Sequence, residues 1–364
     1  MPGIYISWPF CAQKCTYCNF ASGVLPRELE AGYFAAVKAE IAATEWPWRP
    51  ETVYLGGGTP STMDPGQLAE LLSLLPGAPW AEATIEAAPG SLTAEKARAW
   101  REAGINRVSL GVQSFIDVEL RRTGRKHDAA TVAADVELLR GAGLPNVSID
   151  LIAGLPGQTA EGWAESLGWV RRLDVPHASV YMLEVDDDSR LGREMLLGGV
   201  RYGAADVPDE VAIVRYYEEA VAGLGLARYE ISNFARAGFE SLHNLKYWRR
   251  EAYFGFGADA HSFDGRVRWQ NAETAAEYVA RFARGERTRV DESEAIAGEE
   301  RWFVGLRLSE GVEATPEDWA RHGAVLRRFV EEGLLEEQGG RVRLTARGIL
   351  LSNEIFEEFL APCP

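Results

Sequence analysis

Three cysteines fall within eight residues of this 364-residue chain, spaced as Cys11-x3-Cys15-x2-Cys18, and the fourth, Cys363, stands alone near the other end. Crowding of this kind suits a metal better than a disulfide framework, because thiolates on one short loop can converge on one compact object. No histidine adjoins them, so a tetrahedral zinc would need a distant residue to complete its ligand set. A 4Fe-4S cluster accepts three thiolates and keeps one iron open. On the cysteines alone both readings stand, and the open iron is the one that offers chemistry.

The run Gly56-Gly57-Gly58-Thr59-Pro60-Ser61 could also meet a ligand, since three residues without Cβ atoms let backbone approach closely. It is too short for a phosphate loop and lacks that motif's lysine, which leaves a plain tight turn as the alternative. Gly255-Phe256-Gly257-Ala258-Asp259-Ala260 superficially resembles a dinucleotide fingerprint but opens no strand-helix unit. His243, in His243-Asn244-Leu245-Lys246-Tyr247-Trp248, sits in the richest aromatic segment, with Phe234, Phe239, Tyr253, Phe254 and Phe256 nearby. A flat apolar ligand would suit that segment, an imidazole could take haem iron, and Lys246, Arg249 and Arg250 could meet propionates. The plainer reading is a core histidine among aromatics. His127 and His261 read as structural, hydrogen-bonded histidines.

These residues need elements to position them. Six short β-branched or aromatic runs predict strands at 4–7, 52–55, 84–87, 107–111, 147–152 and 178–184. Segments with apolar residues at helical spacing lie between them, at 28–43, 68–75, 94–103, 129–139 and 161–170. The alternation predicts an α/β protein with a parallel sheet: a partial (βα)6 barrel, two units short of a closed one, with its site at the strand C-terminal ends. Glu86, Gln113 and Asp150 fall at or near those ends, Arg125 lies just beyond the fourth, and all would face one mouth. Residues 186–208 read as an irregular connection, with a helix at 210–224. From Pro316 the pattern predicts two short helices, a hairpin-like wing over 333–344 and a last helix, a smaller α+β region resembling a winged helix.

The composition, 46% hydrophobic and 25% charged, is that of a globular protein, which excludes disorder, collagen and coiled coil. A formal net charge of −16 opposes binding to phosphate polymers, and glutamates outnumber arginines beyond residue 325, so nucleic acid is not an expected partner. No apolar run reaches the roughly 18 residues of a spanning helix, and Met1 leads into Gly3-Ile4-Tyr5-Ile6 without a basic and apolar leader. The expected location is the cytoplasm, with no integral membrane segment.

The stretch Tyr5-Ile6-Ser7-Trp8-Pro9-Phe10-Cys11-Ala12-Gln13-Lys14-Cys15-Thr16-Tyr17-Cys18-Asn19-Phe20 resembles the signature of radical S-adenosylmethionine proteins. The later motifs resemble the branch that holds oxygen-independent coproporphyrinogen III oxidase and its haem-chaperone relatives. The resemblance covers nearly the whole chain. It implies a 4Fe-4S cluster on Cys11, Cys15 and Cys18, with S-adenosylmethionine on its open iron. Tyr5, Tyr17, Gly57, Gly58, Thr59, Glu86, Gln113, Arg125 and Asp150 match the cofactor-binding pattern, and His-Asn-x-x-Tyr-Trp around His243 matches the haem motif of the chaperone side. It further implies a barrel over 1–235, a haem-motif segment over 236–310 and a winged-helix-like domain over 311–364. The partners implied are haem, haem donors and haem acceptors such as respiratory cytochromes, which would bring the chain to the membrane periphery. Three features depart from the oxidase: Asn19-Phe20 replaces a fourth cysteine, the cysteine loop begins almost at Met1, and alanine follows Glu86-Ala87 where relatives commonly have asparagine. A haem carrier is therefore favoured over the oxidase, a radical methyltransferase, or a cluster protein whose ligand is not haem.

Overall fold

Apolar and polar residues alternate along the first six strands, and this sets the two faces of the sheet. The computed structural model describes residues 2–360, so the isolated Cys363 lies outside them. The strands are β1 (Gly3–Trp8), β2 (Thr52–Gly57), β3 (Glu82–Ala87), β4 (Arg107–Gln113), β5 (Val147–Ala153) and β6 (His177–Met182). Ile4, Ile6, Val53, Leu55, Ile85, Val108, Leu110, Ile149 and Leu151 are fully buried on the outward face. The alternate residues, among them Tyr5, Tyr54, Glu86, Ser109 and Asp150, turn to the inner face, so this parallel sheet is apolar on one side only.

Helices α1 (Arg27–Ala43), α2 (Pro65–Ser73), α3 (Ala94–Glu102), α4 (Asp117–Arg122), α5 (Ala129–Gly141) and α6 (Ala160–Leu173) fill the crossovers. Asp64, Thr93, Asp128 and Thr159 cap α2, α3, α5 and α6 through their side-chain oxygens. Helix α4 is too short for its periodicity to show in sequence.

The sheet is larger than six strands. It continues through β7 (Ala227–Arg228), β8 (Asn233–Ala235), β9 (Tyr253–Phe256), β10 (His261–Phe263), β11 (Val267–Asn271) and β12 (Arg289–Glu294), in the order β12-β11-β10-β9-β1-β2-β3-β4-β5-β6-β8-β7. Strand β9 lies parallel to β1, pairing Phe254 with Ile4 and Phe256 with Ile6. The segment expected as a separate unit from 236 thus extends the barrel sheet, and its glycine-rich stretch is the turn into antiparallel β10. The sheet stays open, with β12 and β7 as its two edges.

Two further expectations are corrected. The connection over 186–208 contains α7 (Arg190–Leu196), capped by Ser189; α8 (Glu210–Gly223), α9 (Leu242–Trp248), α10 (Ala275–Ala283) and α11 (Ala297–Gly305) follow. Beyond Pro316 there is one helix, α12 (Pro316–Glu331), started by a Thr315–Asp318 capping box and not interrupted by Gly323. The wing is β14 (Leu335–Gln338) with β15 (Arg341–Leu344), joined by short β13 (Val312–Glu313), and two short helices, α13 (Ala346–Leu350) and α14 (Ser352–Glu357), come after it. Trp302 of α11 stacks on Phe359 at 5.3 Å, which packs α11 against the chain that follows α14. Among the described residues no helix is long and apolar enough to cross a membrane.

Candidate functional site

Strand β1 lies between β2 and β9, and the cysteine loop leaves its C-terminal end. The loop is pinned at its base: the Cys11 amide donates to Gly23 O at 2.8 Å and the Gly23 amide to Pro9 O at 2.9 Å. Farther out, Lys14 Nζ donates to Phe20 O at 3.0 Å, the Leu191 amide of α7 to Thr16 O at 2.9 Å, and Asn19 to Asp186 at 3.1 Å. Cys11, Cys15 and Cys18 are half-buried and free of disulfides. Burial pushes the Cys18 thiol up, and the nearby Cys15 and Cys11 add to the shift. Among the described residues no three histidine, cysteine, aspartate or glutamate side chains are yet gathered to metal-binding geometry.

The glycine run meets this loop. The Gly58 amide donates to Trp8 O at 2.8 Å and the Thr59 amide to Phe10 O at 3.0 Å. Gly57 has φ +102°, a conformation that favours glycine. A Cβ on Gly58 would lie 2.8 Å from Trp8 O and 3.0 Å from Cys11 Sγ. Only a residue without a side chain lets the two loops close over each other.

Around the same edge stand the strand-end residues. Tyr5 stacks on Tyr54 with centroids 6.2 Å apart, and the Tyr54 hydroxyl donates to Glu86 Oε1 at 2.9 Å. Burial, then the nearby Asp150 carboxylate, pushes Glu86 up to about 7 against the pull of Tyr54 and the Gly57 amide. Asp150 is also raised by burial, and Ser109 donates to both its oxygens at 3.1 and 3.2 Å. Arg125 donates to Gly111 O at 2.6 Å and, through Nε and Nη2, to the Tyr17 hydroxyl at 3.4 and 3.3 Å, which ties it to the cysteine loop. Gln113 follows a register shift in β4, adopts φ +70°, and keeps a buried Oε1 without a partner. An unpartnered buried oxygen, a glycine cradle and three free thiols on one loop fit a cluster with a small polar cofactor beside it. Tyr54 and Ser109 escaped sequence reasoning, although both share the inward parity of Glu86 and Asp150.

His243 does not join this edge. Thr52 and Glu82, its neighbours, are the first residues of β2 and β3, so α9 covers the opposite, N-terminal end of the strands. The ring is fully buried, with Nδ1 at 2.8 Å from Thr52 Oγ1 and Nε2 at 2.8 Å from the Tyr247 hydroxyl. Burial, helped by Lys246 and Arg107, pushes it down to about 3, so it is neutral. Both ring nitrogens are thus hydrogen-bonded to hydroxyls, from Thr52 and Tyr247, one as donor and the other as acceptor. His127 bonds Val112 O at 3.1 Å as a structural histidine, whereas His261 is exposed.

Fold and strand-end site together define a radical S-adenosylmethionine protein. The family model of the radical SAM superfamily matches residues 5–170, and that of the HemN C-terminal domain matches residues 294–351. The chain is 36% identical over 382 residues to the heme chaperone HemW of Bacillus subtilis, covering 99% of each chain. It is 32% identical over 373 residues to the HemW of Lactococcus lactis, covering 98% of this chain and 96% of the relative. The chain belongs to the HemW family. Its fold also matches coproporphyrinogen III oxidase (HemN) from Escherichia coli with a TM-score of 0.83 over 98% of this chain and 89% of that one, at 22% identity.

Proposed function

We propose that this chain is a haem chaperone that binds haem and delivers it to acceptor haem proteins, while carrying a 4Fe-4S cluster and S-adenosylmethionine. The observation that carries the reading is the end-to-end similarity to proteins named heme chaperone HemW. Cys11, Cys15 and Cys18 would hold the cluster, and Tyr5, Tyr17, Gly57, Gly58, Thr59, Glu86, Gln113, Arg125 and Asp150 the cofactor. Cluster and cofactor together supply one-electron reduction of a sulfonium. The chain's own residues supply placement. The Arg125 fork offers a planar cation suited to a carboxylate, Gln113 Oε1 an acceptor, and Glu86 a carboxyl that burial pushes up to about 7. Haem donors and haem acceptors, including respiratory cytochromes, are the partners of this reading, which places the chain in the cytoplasm and at the membrane periphery through them.

The deciding experiment offers the reconstituted protein haem and coproporphyrinogen III in parallel, under reducing and anaerobic conditions. The expected result is haem bound and passed to an apo haem protein, with the porphyrinogen unchanged. Turnover of the porphyrinogen would move the function to the oxidase.

A further inference from the structure

The two ends of the barrel are bridged by one side chain. Thr52, Tyr54 and Gly56 alternate inward along β2, so this strand faces the His243 motif at its start and the glycine run at its end. Thr52 Oγ1 lies 2.8 Å from His243 Nδ1. Two residues on, the Tyr54 ring packs against the His243 ring with centroids 5.3 Å apart and planes inclined by 31°. The hydroxyl of the same tyrosine donates to Glu86 Oε1 at 2.9 Å. Tyr54 therefore touches both the histidine of the floor and the carboxyl at the mouth.

The contact is tight on the mouth side as well. A Cβ on Gly56 would lie 3.0 Å from Tyr54 Cε1, 3.1 Å from Tyr5 Cε2 and 3.2 Å from Glu86 Oε1, so both rings and the carboxyl are packed onto that glycine. Side chains packed this closely do not move singly: a shift of the Tyr54 ring is taken up by its bond to Glu86 or by Tyr5. Both of those residues belong to the proposed cofactor site. His243, for its part, has to move to take an iron. A neutral imidazole has one lone-pair nitrogen, and here both nitrogens are bonded to hydroxyls, so one of those bonds has to open first. The ring is also fully buried, and it meets a macrocycle only by turning outward, away from Tyr54.

We propose that Tyr54 is a positioning residue that couples the two ligands. It holds Glu86 for S-adenosylmethionine while His243 packs against it, and loses that hold when the ring turns out to haem. The inference rests on the haem-chaperone reading, with haem taken at the His243 motif. A coupling free energy acts equally in both directions, so haem weakens the cofactor's binding and the cofactor weakens haem's by the same factor. Tyr54 is the element with two arrangements that both sites bias. Bound S-adenosylmethionine then favours haem release, which is what a carrier needs at its acceptor.

The test titrates the cluster-loaded, full-length chain with S-adenosylmethionine by calorimetry, with and without haem, and reads haem affinity by absorption with and without saturating S-adenosylmethionine. In wild type each ligand should weaken the other by about fivefold or more, and the two factors should agree. Tyr54→Phe keeps the ring against His243 but loses the bond to Glu86. Its haem affinity in the absence of S-adenosylmethionine should match wild type, while the mutual effect falls below about twofold. Tyr181→Phe, at an inward tyrosine of β6 that bonds neither Glu86 nor His243 among the described residues, should keep the full effect. Independent binding of the two ligands in wild type overturns the inference and leaves the chaperone reading standing. Equal coupling in wild type and Tyr54→Phe, or loss of coupling in both tyrosine variants, overturns it in the same way. Failure of wild type to bind haem removes the chaperone reading itself, and the coupling with it.

Discussion

Gly58 and Cys11 stand so close that a single methyl group on the glycine would come to 3.0 Å from the cysteine sulfur, and to 2.8 Å from the backbone of Trp8 and of Pro9. Backbone atoms cannot swing aside as a flexible side chain can, so Gly58→Ala must push the start of the cysteine loop off the end of β2. Iron and sulfide per chain after anaerobic reconstitution should fall to less than half of wild type. Gly141→Ala, at a helix position where an added Cβ meets nothing within 4 Å, should leave them unchanged and be neutral or stabilising by up to about 1 kcal/mol. Full cluster content in Gly58→Ala would show that the two loops are not coupled.

Arg125 uses three of its five donors on Gly111 O and the Tyr17 hydroxyl, so it is held between β4 and the cysteine loop with two N–H groups left for a ligand. Arg125→Ala and Glu86→Ala should each weaken S-adenosylmethionine binding to cluster-loaded protein by about tenfold, as expected when a charged hydrogen-bonding partner worth about 1.5 to 3 kcal/mol is removed. Arg125→Lys should recover only part of it, because a point charge cannot reproduce the fork. Calorimetric titration of the three variants checks this, and wild-type affinity in Arg125→Ala would place the cofactor elsewhere.

How much of this was legible in the sequence depends on how far apart the cooperating residues lie. Strands β1–β6 were readable because each carries its own signal, as Val147-Ser148-Ile149-Asp150-Leu151 does, and the cysteine loop because its three ligands sit within eight residues. Strand β9 was not, since nothing local tells Phe254 that it will pair with Ile4, some 250 positions earlier. The same distance hid the fate of His243. Its aromatic neighbours suit a ligand pocket and a core equally well, and nothing local shows that the ring will hydrogen-bond Thr52, 191 positions earlier.

His243 also makes a pH prediction with a definite sign. In the folded chain burial holds it down to about 3, whereas an unfolded histidine titrates near 6.5. Between those values the unfolded state binds the extra proton, so folding stability is fully present above about pH 6.5 and is lost as pH falls toward 3, by at most about 1.4 kcal/mol per unit. His177, also depressed by burial, acts in the same direction. Unfolding free energies from urea titrations at pH 7.5 and 5.5 should differ in wild type and differ less in His243→Gln, by about 1 kcal/mol. An identical pH dependence in the two proteins would mean the ring is not held buried and neutral.

Glu82 fastens the helix that carries His243. Its buried carboxylate accepts the Leu242 amide at 2.8 Å, the His243 amide at 3.0 Å and the Ser241 hydroxyl at 3.4 Å, which satisfies the first turn of α9 from the floor of the barrel. Glu82→Gln keeps the shape but leaves one acceptor oxygen and no charge, and should destabilise the fold by about 1 to 3 kcal/mol. The loss should be local before it is global: amide hydrogen exchange over residues 242–248 should quicken while exchange in β4 and β5 does not. Because the cysteine loop leaves the opposite end of the strands, iron content after reconstitution should match wild type. Unchanged exchange in α9 would show that the helix is held by its packing alone, whereas loss of the cluster would show that the two ends of the barrel are coupled through the sheet.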